Sequence, residues 1–385
     1  MMTLIMRIGI FTVLATTLLV VAAEAARRSP SFPPPRRPPP RSPLPSPTPK
    51  SVGKKYTLVF FGDSLTDPGN VFAAGGVPDP KIYYKGRFSN GPIWTDLLAK
   101  TLQATAGSKS AVQVRNYAYG AATACSFPAI QATFPFVKDL TAQVSAFAAD
   151  VKSGKARLTG TKALVFQYIG VDDFLSFFHD ILATNSTPTA EAIGQMIQNT
   201  VACRVAGAAA AAAVKGVTDI VILPLAPLHL SSVVPAALKQ TVLDIESVSG
   251  QATLAAMANL NNTLAAAPVN SPGAGVRIWV LGDTRWVTNG VGKVDPPFTH
   301  IEDPCFVQPV SSMVITPGIK VCTDPENYFF YDDVHPTTRF HYWFANKGCN
   351  STAPESAAAV NVRHHMTFYD VAWVIWSNYR ADHCE

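Results

Sequence analysis

The stretch YTLVFFGDSLTDPGN, residues 56–70, decides the fold. Its opening residues are almost continuously apolar, as in a parallel strand covered on both faces. The run stops at Gly62, and Asp63-Ser64 stands at the junction with a polar turn. Four more runs share this character: VQVRNY (112–117), ALVFQYIG (163–170), TDIVILP (218–224) and VRIWVL (276–281). Helix-compatible stretches separate them at 92–106, 137–151, 189–214 and 234–266. Strands joined by helical crossovers predict one three-layer α/β/α domain over residues 56–385, with a central five-stranded parallel sheet. There is no internal repeat and no second domain boundary. Beyond residue 282 the chain reads as loop-rich, ending in a predicted helix at 367–380.

The residues before the first strand are of another kind. Arg7 precedes an apolar run, Ile8–Ala23, and Ala23-Glu24-Ala25 supplies a small-x-small cleavage site. The run is shorter than the ~20 residues a membrane span needs. Residues 1–25 are therefore expected to be a secretory signal peptide, with no integral membrane span. Residues 26–55 form a basic proline-rich linker, with eleven prolines between Pro30 and Pro49, expected to be extended and without a core. Residues 1–55 hold nine of the 31 Lys/Arg and one of the 26 Asp/Glu, leaving 22 basic against 25 acidic residues, a net of −3. The formal +5 thus belongs to the arm, which reads as a charged spacer or as an attachment to acidic cell-wall polysaccharide. Nucleic acid is not an expected partner for a secreted, mildly acidic domain.

All six cysteines follow the signal, and an even count in a secreted chain predicts disulfides. Cys305 and Cys322 are expected to pair by proximity. No Cys/His cluster has metal-ligand spacing, so no metal is expected. Sequons at Asn185, Asn261 and Asn350 are expected glycosylation sites at the surface.

Ser64, at the C-terminal edge of a strand, can be a nucleophile if a base reaches it; alone it reads sooner as a helix-capping serine, with Asp63 as a turn residue. In YDDVHPTTRF, Asp332 precedes His335 by three residues. In a turn, that spacing lets the carboxylate take the imidazole Nδ1–H and leaves Nε2 free to deprotonate a serine.

Together with GRFSNGPIWTDLLA (86–99), RNYAYGAAT (115–123) and YIGVDD at 168–173, these motifs resemble the GDSL/SGNH hydrolase family, in particular its secreted lipase/esterase-like branch of plants and fungi. The resemblance spans about residues 57–345. It implies Ser64 as nucleophile, His335 as general base and acid, Asp332 as its orienter, and no cofactor. It also implies an oxyanion hole from the backbone N–H of Ser64, that of a second-block residue, and a third-block asparagine side chain. Two positions depart from the pattern. The second block has Gly120-Ala121, with alanine where glycine is usual, which matters if φ must be positive. The third reads Gly170-Val171-Asp172-Asp173, so an acid replaces the amide donor. Ionised, Asp172 about 3 Å from an oxyanion would cost ~5.5 kcal/mol at an effective dielectric near 20; protonated, it can donate. Asp173 is expected to be structural, capping the next helix.

The expected activity is carboxylic-ester hydrolysis through an acyl-Ser64 intermediate, on an acyl lipid, a small ester or an acetylated polysaccharide. Two alternatives stand beside it: acyl transfer by the same triad, and a catalytically weakened wall-associated binding protein. Tyr83, Tyr84, Phe88 and Trp94 read as core before pocket, and His364-His365 as a surface pair.

Overall fold

In the computed structural model the sheet comprises β1 (Tyr56–Gly62), β2 (Val112–Asn116), β3 (Lys162–Tyr168), β4 (Val217–Ile222) and β5 (Arg277–Val280). All neighbours are parallel, in the order β2-β1-β3-β4-β5. The structure describes residues 55–105, 112–158, 160–183, 188–282, 284–292, 294, 296–307 and 318–346. The expected signal peptide, nearly all of the proline-rich linker, the predicted helix at 367–380, His364-His365, Cys349 and Cys384, and the sequons at Asn185 and Asn350 lie outside these residues. Among the described residues no helix is long and apolar enough to cross a membrane.

Nine α-helices accompany the strands among the described residues: α1 (Asn70–Gly75), α2 (Trp94–Thr105), α3 (Pro128–Thr133), α4 (Leu140–Lys152), α5 (Val171–Ala183), α6 (Ala190–Ala212), α7 (Lys239–Ala266), α8 (Thr284–Val291) and α9 (Thr338–Asn346). The strand's two-residue period sorts them into layers. Leu58 and Phe60 of β1 face a core shared with Trp94 and Leu98 of α2, Val287 and Val291 of α8, and Phe340 and Phe344 of α9. Val59 and Phe61 face the opposite core, with Leu140 and Phe147 of α4, Ala208 and Ala211 of α6, and Met257 of α7. Side-chain oxygens start two of these helices: Asp139 accepts from the Ala142 N–H, and Thr189 from that of Ala192.

The region beyond residue 282 is less irregular than expected, because α8 and α9 lie in it. Both are short, with apolar residues spaced just far enough to bury one stripe against the sheet. Helix α5 follows β3 with only Ile169-Gly170 between them, so the apolar strand pattern runs directly into the helix and hides its start.

The strand order reverses between β1 and β3, since chain connections leave in opposite directions from that point. In open α/β sheets ligands bind at such a switch point, beyond the carboxyl ends of the strands. Ser64 follows β1 there, and Asp172 follows β3.

Candidate active site

Gly62 ends β1 in a space that admits no side chain. A Cβ there would lie 2.6 Å from the Tyr168 carbonyl oxygen and from the side chain of Thr66. The buried amide of Gln143 completes the strand end, accepting from the Gly62 N–H and donating to its C=O, both at 2.9 Å. A turn follows, in which the Thr66 N–H donates to the Asp63 carbonyl at 3.0 Å and the Leu65 N–H to the Asp63 carboxylate at 3.1 Å. This presents Ser64 above the sheet.

His335 reaches it from the other end of the chain. Its Nε2 lies 2.8 Å from Ser64 Oγ, and its Nδ1 lies 2.7 and 2.9 Å from the two oxygens of Asp332. The GRFSNGP stretch holds this loop in place. Ser89 donates to the Pro336 carbonyl at 2.9 Å, and Asn90 Oδ1 accepts from the Thr338 N–H at 2.7 Å. Asp332 is buried, yet its carboxyl is held below the ordinary carboxylate range: burial opposes ionisation, and His335, Tyr83 and the Val334 N–H outweigh it.

The second-block residues divide differently from the expected arrangement. The Gly120 N–H is consumed by Asp67, at 2.9 Å, so Gly120 does not belong to the oxyanion hole. The same carboxylate accepts from Gly69, Asn70 and Val71, pinning the start of α1 to this loop. Ala121 lines the cavity beside Ser64, and no described group takes up its N–H. Its φ is +60°, so alanine occupies a left-handed position that glycine fills at less cost.

Asp172 lines the same cavity as Ser64, Ala121 and His335. Its Oδ2 is buried without a hydrogen-bond partner. Burial pushes its carboxyl well above the ordinary range; the charge of Asp63 adds to this, His335 opposes it and Asp173 adds again. Asp63 is itself raised to about 7, chiefly by burial, and Asp173 to about 6. Buried Arg204 faces both acids and donates to the Leu223 carbonyl at 2.5 Å; burial brings its guanidinium down to about 10. Asp173 serves the site as a tether, accepting from the Ala124 and Cys125 N–H groups at 2.7 and 3.0 Å.

The cavity, about 110 Å³, is walled mainly by apolar side chains, among them Leu65, Val171, Leu175, Leu228, Phe329 and Phe340. Tyr83 and Phe88 line it while also being buried, whereas Trp94 is wholly core. Sequence reasoning missed Gln143 and the link from Tyr83 to Asp332 because both partners lie far away in the chain. The expected Cys305–Cys322 disulfide is present, as is a second, Cys125–Cys203. Asn261 is half-buried within α7, where its Oδ1 accepts from the Ile278 N–H at 2.9 Å, so the open surface expected of that sequon is not found.

The profile of the family described as GDSL-like lipase/acylhydrolase matches residues 58–347. The chain belongs to that family. Similar curated proteins include a phosphatidylcholine-sterol acyltransferase of Aeromonas hydrophila, 30% identical over 31% of this chain and 33% of that one. Another is the secreted effector protein SseJ of Salmonella typhimurium, 23% identical over 78% of this chain and 64% of that one. The matched chain thus spans less than two thirds of either relative's length. Among solved structures, a catalytic mutant of an acetylxylan esterase from Geobacillus stearothermophilus covers 77% of this chain and 93% of its own, at 14% identity and a TM-score of 0.39.

Proposed function

We propose that the protein is a secreted serine esterase that cleaves carboxylic esters through an acyl-Ser64 intermediate. The observation that carries this is the continuous relay from Ser64 Oγ through His335 to Asp332, at 2.8 and 2.7 Å, at the wall of an apolar cavity. His335 takes the Ser64 proton as Oγ attacks the ester carbonyl, and Asp332 holds the imidazolium that results. Collapse of the tetrahedral adduct expels the alcohol, which leaves with the proton from His335. Water then attacks the acyl-enzyme by the same route and releases the acid.

The oxyanion would face the backbone N–H groups of Ser64 and Ala121 and the side chain of Asp172. Asp172 serves as a protonated donor, standing where the family's asparagine would offer its amide. Its unpartnered buried oxygen and its raised pKa support that role.

The apolar walls favour the acyl chain of a lipid or small ester over an acetylated polysaccharide, which presents a polar surface to its enzyme. Transfer to an alcohol in place of water would need no other residues, and the acyltransferase name of the Aeromonas relative favours keeping that second reading. Secretion to the extracellular space or cell wall is supported by the signal-like residues 1–25 and the two disulfides, and the basic arm offers the contact to acidic wall polysaccharide. Short- and medium-chain p-nitrophenyl esters, assayed with wild type and Ser64→Ala from pH 4 to 9, test the reading. Turnover no greater than that of Ser64→Ala at every pH would sink it.

A further inference from the structure

The Asp332 carboxylate is crowded with donors, and one of them lies outside the Ser–His–Asp relay. The Tyr83 hydroxyl donates to Asp332 Oδ2 at 2.5 Å, on the oxygen that also faces His335 Nδ1. The other oxygen is held by the backbone N–H groups of Val334 and His335, at 3.0 and 2.8 Å. With both oxygens fixed, the carboxylate plane cannot swing away from the imidazole.

Tyr83 is itself held on three sides. Its ring packs edge-on against Phe88, Phe306 and Tyr331, with centroids 6.2, 5.9 and 5.7 Å away. Phe88 in turn lies against the His335 imidazole, at 5.0 Å. Phe306 follows Cys305, and the Phe306 and Cys305 N–H groups donate to the carbonyls of Tyr331 and Phe330. The Cys305–Cys322 disulfide therefore buttresses the cluster that carries the tyrosine.

We propose that Tyr83 is a positioning residue of the triad, its hydroxyl fixing the Asp332 carboxylate that orients His335. Without the Tyr83 hydroxyl, Oδ2 would keep only the His335 Nδ1–H, and a buried carboxylate with one donor fewer is both looser and easier to protonate. Burial and the Asp332 charge raise the Tyr83 hydroxyl's own pKa, so it remains a donor across the working range. The other titratable groups facing this pair are Tyr331 and Asp333 beside Asp332 and Tyr83, and Asp172 and His341 facing His335.

Tyr83→Phe keeps the ring and removes the donor. It should lower kcat about 10- to 100-fold, the range for a hydrogen bond to a charged group, with KM changed less than two-fold. Because Asp332 would then take up a proton at higher pH, the acid limb of the kcat profile should move upward while the alkaline side stays in place. Tyr331→Phe disturbs the same cluster, removing a 2.8 Å bond to the Ile82 carbonyl, and should move neither. In an Asp332→Asn background, Tyr83→Phe should cost less than two-fold.

The inference rests on the esterase reading, so phosphorylation of Ser64 by diethyl p-nitrophenyl phosphate is followed alongside turnover. A wild type that is not labelled would overturn both. A labelled wild type whose labelling rate and acid limb are unchanged by Tyr83→Phe would overturn this inference alone. So would an equal loss with and without Asp332, or the same acid-limb shift in Tyr331→Phe.

Discussion

Gly62 and Tyr168 are partners in the last register of β1 and β3, and that pairing sets the reacting group beside an acid. Ser64 lies two residues past one, Asp172 four past the other. Both positions are thereby set by the ends of two paired strands, and if Asp172 donates to the oxyanion, its charge governs turnover. On the proposed donor role, turnover by the wild type should decline as pH rises through the elevated pKa of Asp172, since the donated proton would be lost. Asp172→Asn should abolish the decline, so that its turnover relative to the wild type grows steadily toward the alkaline end of the profile. Asp172→Leu should lose about 100-fold at pH ~5, the usual cost of one oxyanion donor. Parallel pH profiles of kcat check this, and an unchanged profile in Asp172→Asn would reject the donor role.

Asp173 links the two loops of the site. Replacing it with alanine strands the buried Ala124 N–H and the half-buried Cys125 N–H, and an unmade buried hydrogen bond costs about 1–3 kcal/mol. The expected result is a destabilisation of about 3 kcal/mol in urea unfolding. Because Ala121 rides on the same loop, kcat should fall with little change in KM. A variant that loses stability but keeps kcat would show that the loop holds its place without the tether.

The sheet was legible because parallel strands covered on both faces need continuous apolar runs, and TDIVILP and ALVFQYIG read that way without help. The contacts linking Ser64, His335 and Asp332 were legible because Asp332 and His335 share one turn and Ser64 follows the end of a strand. What stayed hidden was long-range bonding. Nothing near Gly120 announces that Asp67, 53 residues earlier, claims its N–H, and nothing near Tyr83 announces a partner 249 residues later. The φ of Ala121 was open for a related reason: alanine tolerates either conformation at a cost the surrounding fold can absorb.

The buried acids also make stability depend on pH, with a sign that can be worked out. A carboxyl raised from 3.8 to about 7, as in Asp63, stays protonated in the folded chain where the unfolded chain is ionised. Stability then falls as pH rises through that window. His341, buried and pushed down to about 3, acts the other way, but only below its unfolded value of 6.5. Above pH ~6.5 the acids alone remain, so unfolding free energy should drop by about 1 kcal/mol or more between pH 6.5 and 8.5. Asp63→Asn should flatten that drop. Urea titrations across the range measure it, and a rise in stability over the same interval would contradict the assignment.

A methyl group at Gly62 should be the costliest small change near the site. It would meet the Tyr168 carbonyl oxygen at 2.6 Å, and that oxygen belongs to the backbone of the central strand, so it cannot rotate away. Overpacking of this kind costs about 1–3 kcal/mol, and any relief must displace the chain just before Ser64. A displacement near 1 Å at a reacting group can cost about 100-fold in rate. Gly62→Ala should therefore lose both stability and turnover. Gly75→Ala is the matching control: its added carbon meets the tip of the Phe136 ring at 2.5 Å, a side chain that can turn aside. That variant should keep full activity and lose less than about 1 kcal/mol. Thermal unfolding and initial rates on the two proteins separate the cases, and equal behaviour would mean that the strand end yields more readily than its bonding to Gln143 indicates.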